Sequence, residues 1–207
     1  MKDYKKITID SYNKTANEYY KKVITFDPLP ELKIFIDLVR PKGNILDLGC
    51  GPGQHAKLFA QNGFSVTGID LSEKMINIAK AKVPNALFFE MDILNFDLPK
   101  KTYNGIWASA SLIHLKRSDI SEVIINLKKL LKKNGILYVS IKEGNNEGFL
   151  IDGRYNDVKK FYTYYKKDEL DKIFIKTGFK IIKKNYTDKR KIYDTNPWLH
   201  YFLKLSV

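Results

Sequence analysis

A single cysteine, Cys50, stands among the 207 residues. With one thiol the chain can close no internal disulfide and can build no cysteine-rich zinc site, and it fits a reducing compartment. Histidine is nearly as scarce. His55, His114 and His200 lie too far apart for the short spacings of a metal-ligating motif, so no metal site is expected. No stretch approaches the ~18 consecutive apolar residues of a membrane span. Met1 to Lys6 lead into a mixed polar segment, unlike a secretory leader. A cytoplasmic protein without a membrane partner is expected. Acidic residues are in deficit, 23 against 36 basic ones, for a net charge of +13. Such an excess fits a nucleic-acid partner. Yet only four of the 36 are arginine (Arg40, Arg117, Arg154 and Arg190), the residue that phosphate forks and base edges prefer. The lysines are scattered, often in pairs such as Lys128-Lys129 and Lys183-Lys184, and a solvated lysine-rich surface is the plainer reading.

What is present is core material: 44% of residues are hydrophobic and 13% aromatic, which argues against disorder. The length suits one domain over 1–207, divided into a helical cap over 1–40, a core over 41–142, and a lid loop with terminal strands over 143–207. Ile7, Ile9, Tyr12, Ala16, Tyr19, Tyr20 and Val23 recur at near-helical spacing and predict a helix over 8–24. Asp27-Pro28-Leu29-Pro30 breaks it, and Leu32, Phe35, Ile36 and Val39 predict a second helix. Strands are then expected at 45–48, 65–70, 87–91, 103–109 and 136–141. Between them lie helices over 56–61, after the N-cap Ser72, and from Ser118 or Asp119 to a stop at Asn134-Gly135. This alternation implies an α/β three-layer sandwich with a parallel sheet between helices. Residues 143–157 lack a period and read as a lid or binding loop. Alternation in 161–165 suits an edge strand or the wall of a pocket. A helix over 167–177 and strands at 179–186 and 198–205, paired antiparallel at the sheet edge, complete the chain.

The chemistry centres on Ile45-Leu46-Asp47-Leu48-Gly49-Cys50-Gly51-Pro52-Gly53-Gln54, where a strand turns into a helix. Glycines there let the backbone bend and a ligand approach. In doubly wound sheets ligands lie beyond the carboxyl ends of the strands. The glycine spacing is G-x-G-x-G rather than the dinucleotide G-x-G-x-x-G, and no Gly-Lys-Ser/Thr follows to make a P-loop. Asp47 beside the turn would repel a pyrophosphate but neutralise an ammonium or sulfonium. Asp70, at the next strand end, can accept both hydroxyls of a ribose. Asp92, at the third, can accept an adenine amino hydrogen between Met91 and Ile93. Each could be only a turn residue or cap, but three at successive strand ends form a far more specific pattern.

With Gly68-Ile69-Asp70-Leu71-Ser72, Glu90-Met91-Asp92-Ile93, Ser111-Leu112-Ile113-His114-Leu115 and the run from Leu131 to Ile141, the chain resembles the class I S-adenosylmethionine-dependent methyltransferases, of the small methyltransferase-domain type, strongly over 40–142. The resemblance implies a Rossmann-like, seven-stranded sheet of order 3-2-1-4-5-7-6 with the seventh strand antiparallel. It implies S-adenosylmethionine as cofactor and S-adenosylhomocysteine as product. Asp47, Gly49, Cys50, Gly51 and Gly53 would face the methionine part, Asp70 the ribose, and Asp92 and Ile93 the adenine. Leu71, Met75, Met91, Ser109 and Ala110 would complete the cofactor contacts, with Tyr19, or alternatively Tyr20, closing over them. No Asn/Asp-Pro-Pro-Tyr/Phe follows the fourth strand, which lowers the case for planar nitrogen in bases or glutamine. His114 and Glu143 are the candidate bases. Arg154, Tyr155, Tyr162 and Tyr164 are the candidate acceptor contacts. His55 is expected to shape the cofactor end, and His200, Trp107 and Trp198 to pack. A small-molecule acceptor and a monomer or homodimer are expected. The alternatives are a tRNA or rRNA methyltransferase, a non-catalytic cofactor-binding activator subunit and, more distantly, a dehydrogenase.

Overall fold

Strand β1 (Asn44–Leu48) is buried on both faces, as the short apolar run Ile45 to Leu48 requires, and the sheet is built outward from it. The computed structural model describes residues 3–26, 30–155, 157–188 and 196–205. Most of the Asp27-Pro30 break, at residues 27–29, and Asn156 of the expected lid lie outside the described residues. Helices α1 (Asp3–Val23) and α2 (Pro30–Leu38) precede β1. After it come α3 (Gln54–Gln61), β2 (Ser65–Asp70), α4 (Glu73–Lys82), β3 (Leu87–Glu90), β4 (Tyr103–Ser109), α5 (Ile120–Leu130) and β5 (Leu131–Lys142). The chain continues through β6 (Glu147–Asp152), β7 (Val158–Thr163), α6 (Lys167–Lys176), β8 (Phe179–Thr187) and β9 (Trp198–Leu205). The main sheet runs β3-β2-β1-β4-β5-β9-β8. Counted without β6 and β7, this is the expected 3-2-1-4-5-7-6 order. The strands β3, β2, β1, β4 and β5 are parallel, and β9 runs antiparallel between β5 and β8.

Side-chain alternation along the strands feeds two apolar layers. Leu46, Leu48, Ile106, Leu137 and Val139 face α5 and α6 residues such as Leu127 and Phe174. Ile45, Trp107 and Tyr138 face Phe35 and Phe59 of α2 and α3. Trp107 and Tyr138 stack at 3.8 Å and 12° in the heart of that second layer. The hydroxyl of Tyr138 meets His200 Nδ1 at 2.7 Å, so His200 takes part in core packing. Ser72 caps α4 as expected, its hydroxyl accepting from the Met75 amide at 3.2 Å.

Two expectations fail. Helix α5 does not run on to Asn134-Gly135: it stops at Leu130, and Leu131 already pairs with Tyr103. The Asn134-Gly135 turn, with Asn134 at φ 63°, is absorbed as an irregularity inside β5. Residues 143–157 are not an open loop. Residues 147–152 form β6, which pairs antiparallel with β7 in a separate two-stranded sheet lying against α1. Among the described residues, no helix is long and apolar enough to cross a membrane.

Candidate active site

A cavity of ≈ 260 Å³ opens beyond the carboxyl ends of β1, β2 and β4, where parallel strands place their terminal loops together. Its floor is the glycine turn. The amides of Gly49 and Cys50 both donate to the Ile69 carbonyl, at 2.8 and 2.9 Å, and pin the turn to β2. Gly49 and Gly51 have φ of 70° and 53°, conformations that cost other residues strain. A Cβ at Gly49 would lie 2.4 Å from Ser111 Cβ, whereas one at Gly51 would meet nothing nearer than 3.8 Å. Backbone at Gly51 is therefore open to a ligand.

Asp70 anchors this floor. Its two oxygens accept from the Gly51 and Ser72 amides, each at 2.9 Å, and lone pairs remain. Burial raises its pKa, against the pull of the amides of Ser72, Gly51 and Leu71. Asp47 sits behind the turn, 1% exposed, and does not itself line the cavity. Burial, and then the charge of Asp70, push its pKa up to about 8, against a hydrogen bond donated by the Ala56 amide. Among the described residues, Asp47 Oδ2, Gln54 Oε1 and Ser111 Oγ are buried side-chain atoms without a hydrogen-bond partner. Three such atoms around one turn call for a ligand carrying donors, such as an ammonium group.

Asp92 lines the opposite end, and both its oxygens are held by Lys5 Nζ at 2.6 Å, while the Leu94 amide donates to Oδ1 at 2.9 Å. Lys5 was not among the residues singled out in the sequence. It belongs to one stripe of α1, with Thr8, Tyr12 and Tyr19, that forms the cavity roof. Helical spacing along that stripe is the signal that could have found it.

The other wall is the hairpin β6–β7. Asp152 accepts a fork from Arg154 (Nε–Oδ1 2.6 Å, Nη2–Oδ2 2.8 Å) and a third bond from Lys160 at 3.0 Å. Burial alone would raise the Asp152 pKa, but the two cations outweigh it and hold the carboxylate well below its usual range. Lys160, fully buried, lies 4.1 Å from the Tyr12 ring centroid and 4.9 Å from that of Tyr155.

His114 hangs between roof and hairpin. Its Nδ1 lies 2.7 Å from the Phe161 carbonyl. A carbonyl can only accept, so Nδ1 carries the hydrogen and Nε2 accepts from the Tyr12 hydroxyl at 2.9 Å. Burial lowers the His114 pKa to about 4, against the pull of the Phe161 carbonyl. The ring is neutral at pH 7.

Of the residues singled out in the sequence, the cavity brings together Tyr19, Gly49, Gly51, Asp70, Leu71, Met75, Asp92, Ile93, Ser109, Ala110, His114, Arg154 and Tyr162. It does not reach Asp47, Cys50, Gly53, Tyr20, Met91, Glu143, Tyr155 or Tyr164. Gly53 faces Ala79, where a Cβ would lie at 3.2 Å, so its small size serves the packing of α3 on α4. Tyr20 turns outward under Lys82. Tyr155 packs at a tilt against Tyr19 at 5.5 Å, and Tyr164 is absorbed into the core. Glu143 is tied by its backbone to Pro197 and Tyr165. His55 packs edge-on against Trp107 at 5.5 Å, beneath the cavity. Trp198 packs against the core as expected and also contributes to the lining.

Residues 45–135 match the family described as methyltransferase domain. Over 101 residues the chain is 40% identical to trans-aconitate 2-methyltransferase of Escherichia coli, covering 48% of this chain and 39% of that protein. The chain spans about half or less of the length of the curated relatives it matches. Its fold is similar to that of 1,6-didemethyltoxoflavin-N1-methyltransferase from Burkholderia thailandensis, crystallised with 1,6-didemethyltoxoflavin and S-adenosylhomocysteine. That likeness has a TM-score of 0.78 at 16% identity, covering 99% of this chain and 90% of the other. Magnesium protoporphyrin IX methyltransferase from Synechocystis PCC 6803, with bound S-adenosylhomocysteine, matches at a TM-score of 0.74 and 21% identity, over 99% of this chain and 100% of the other.

Proposed function

We propose that this chain, a member of the class I S-adenosylmethionine-dependent methyltransferases, transfers a methyl group from S-adenosylmethionine to an oxygen or nitrogen of a small-molecule acceptor. The observation that carries the reading is the pinned glycine turn, open at Gly51, with Asp70 at its edge and Asp47 Oδ2 unpartnered behind it. Asp70 would take the ribose hydroxyls. Asp47 would supply negative charge to the methionine end, with Gln54 and Ser111 accepting or donating there. Asp92 and Ile93 would hold the adenine. S-adenosylmethionine supplies a methyl group already activated on a sulfonium. The chain's own residues align the acceptor and exclude water, and alignment contributes up to about 7–11 kcal/mol in the best cases.

Two observations support a small acceptor. The cavity is roofed by α1 and walled by the hairpin, and relatives and neighbours carry names of small-molecule methyltransferases. The net charge of +13 favours an RNA acceptor as a second reading. Transfer to a small acceptor that persists in high salt separates the two, because phosphate-driven binding weakens steeply with salt. The single cysteine, buried and unpaired, supports a reducing cytoplasmic setting.

Titration calorimetry with S-adenosylhomocysteine tests the reading. The wild type should bind, and Asp70→Asn should weaken binding about 10- to 100-fold, the ~1.5–3 kcal/mol of hydrogen bonds to a charged group. A wild type that does not bind, or an unchanged affinity in Asp70→Asn, defeats it.

A further inference from the structure

His114 is the base offered by the sequence, but neither of its ring nitrogens faces an acceptor directly. Nδ1 donates to the Phe161 carbonyl at 2.7 Å, and Nε2 accepts from Tyr12 at 2.9 Å. An acceptor reaches Nε2 only by displacing Tyr12 or by acting through it. Tyr12 lines the cavity, and its phenolic oxygen keeps acceptor capacity after donating its own hydrogen. Its ring is fixed edge-on to His114 at 5.5 Å and to Tyr19 at 5.8 Å. The Lys160 ammonium braces it at 4.1 Å from the ring centroid. This is a held proton path: cavity, Tyr12 oxygen, His114 Nε2.

We propose that Tyr12 is the catalytic residue that touches the acceptor, receiving the acceptor's proton as it hands its own to His114, and that the acceptor is therefore a proton-bearing hydroxyl or amine, not a carboxylate. This rests on the methyl-transfer reading above. As the acceptor lone pair forms its bond to the methyl carbon, the carbon–sulfur bond breaks and its electron pair returns to sulfur. The acceptor proton passes to the Tyr12 oxygen, and the phenolic proton of Tyr12 passes to His114 Nε2. The products are a methylated acceptor, a neutral thioether and an imidazolium, which later gives its proton to water. One positive charge leaves sulfur and one appears on the ring, so the cavity's net charge does not change. That conservation offsets the burial that keeps His114 neutral in the free protein. An ionised carboxylate has no proton to give, and this path would be idle for it.

The surroundings agree with a relay. From the hairpin, Lys160 and Arg154 oppose an imidazolium and Asp152 favours it. Burial, then the neighbouring Tyr162 and Tyr19, push the Tyr12 phenol well above the usual tyrosine range, while Arg154 pulls it down. Tyr12 is thus protonated at rest and acts only in concert with His114.

The test uses the whole chain with S-adenosylmethionine carrying a tritiated methyl and a defined set of probes: catechol, p-cresol, tyramine, benzylamine, benzoate and citrate. Methylation of hydroxyl or amine probes, without methyl esters of benzoate or citrate, is expected. On the best probe, Tyr12→Phe should lower kcat by about 10²-fold or more, with affinity for S-adenosylhomocysteine within about twofold of wild type. The pH profile supplies a readout that a structural role would not move. With a hydroxyl probe the wild-type kcat should be flat from about pH 6 to 9, whereas that of Tyr12→Phe should climb as the probe loses its proton to solvent unaided. Methyl esters as the main product overturn the proposal. So does a Tyr12→Phe protein with wild-type kcat and profile, or a protein that binds S-adenosylhomocysteine yet methylates no hydroxyl or amine probe. Failure of the methyl-transfer reading shows separately, as a wild type that does not bind S-adenosylhomocysteine.

Discussion

Asp47 holds its proton in the folded, ligand-free protein at pH 7, because burial and Asp70 raise its pKa to about 8. Unfolding exposes it, its pKa returns to the ordinary carboxylate range, and the proton is lost. The native state therefore binds more protons than the unfolded state up to about pH 8, so stability falls as pH rises through that range and levels off above it. His55 and His114, both lowered to about 4 by burial, act in the opposite sense below about pH 6.5. The window from about 6.5 to 8 isolates the Asp47 effect. Over it the loss is at most about 2 kcal/mol. Urea midpoints at pH 6.5 and 8 check this, and Asp47→Asn should shrink the difference. A cationic ligand at the turn lowers the Asp47 pKa, so binding S-adenosylmethionine at pH 7 should release up to about one proton. Calorimetry in buffers of different ionisation enthalpy measures that release, and Asp47→Asn should remove it. Asp70 and Asp92 were legible in the sequence because each ends a strand beside a recognisable turn. Lys5 and the partnership of Tyr12 with His114 were not. Their partners lie 87 and 102 residues away, and motif spacing carries no record of such contacts.

Helix α1 is a polar element, and its hold on the cavity is correspondingly polar. Lys5 bonds Asp92, Tyr4 bonds Asp119 at 3.2 Å, Asn13 accepts from Ser72 at 2.6 Å, and Ser11 donates to the Lys159 carbonyl at 2.6 Å. Ser72 does double duty, capping α4 and tying α1 to it. Ser72→Ala should therefore cost about 1–2 kcal/mol of stability, read from denaturant midpoints. Lys5→Met should leave the sheet folded but lower amide-exchange protection within α1 by about 10-fold, because it strips a partner from a half-buried carboxylate. Bound S-adenosylhomocysteine should recover part of that protection. Protection in α1 that matches wild type in both variants would show that the helix is held by its apolar contacts instead. The parallel core was readable because its strands and helices follow apolar periods. Strand β6 was missed because its pattern is inverted: Phe149 and Ile151 face outward at 36% and 69% exposure, while Asp152 points inward and is neutralised by Arg154 and Lys160. A buried ion cluster reads in sequence like a solvated loop. The α5–β5 boundary was misplaced for a related reason, since Asn-Gly signals a turn without saying whether it ends a helix or interrupts a strand.

Charge is the property that belongs to the whole molecule rather than to any element. An excess of +13 over 207 residues repels itself, and compaction brings those charges closer, so the folded state bears the greater cost. Most of the excess is lysine, whose flexible, hydrated ammonium gains little from any single neighbour. Exposed pairs such as Lys33–Asp37 at 3.0 Å, with side chains 82% and 61% exposed, offset little of it. Salt screens repulsion between exposed charges over about 10 Å at 0.1 M, but acts much less on buried ones. Raising sodium chloride from about 20 to 300 mM should therefore raise the melting temperature by several degrees, since each ~1 kcal/mol shifts a domain of this size by about 2–4 °C. The carboxylates assigned to the cofactor lie largely within the cavity wall, so affinity for S-adenosylhomocysteine should change less than about twofold over the same range. A melting temperature that stays flat or falls would mean that the lysines are already compensated across the surface. An affinity that collapses with salt would mean that the cleft is gripped by exposed charge rather than by the buried turn, and Asp70 could not then be its anchor.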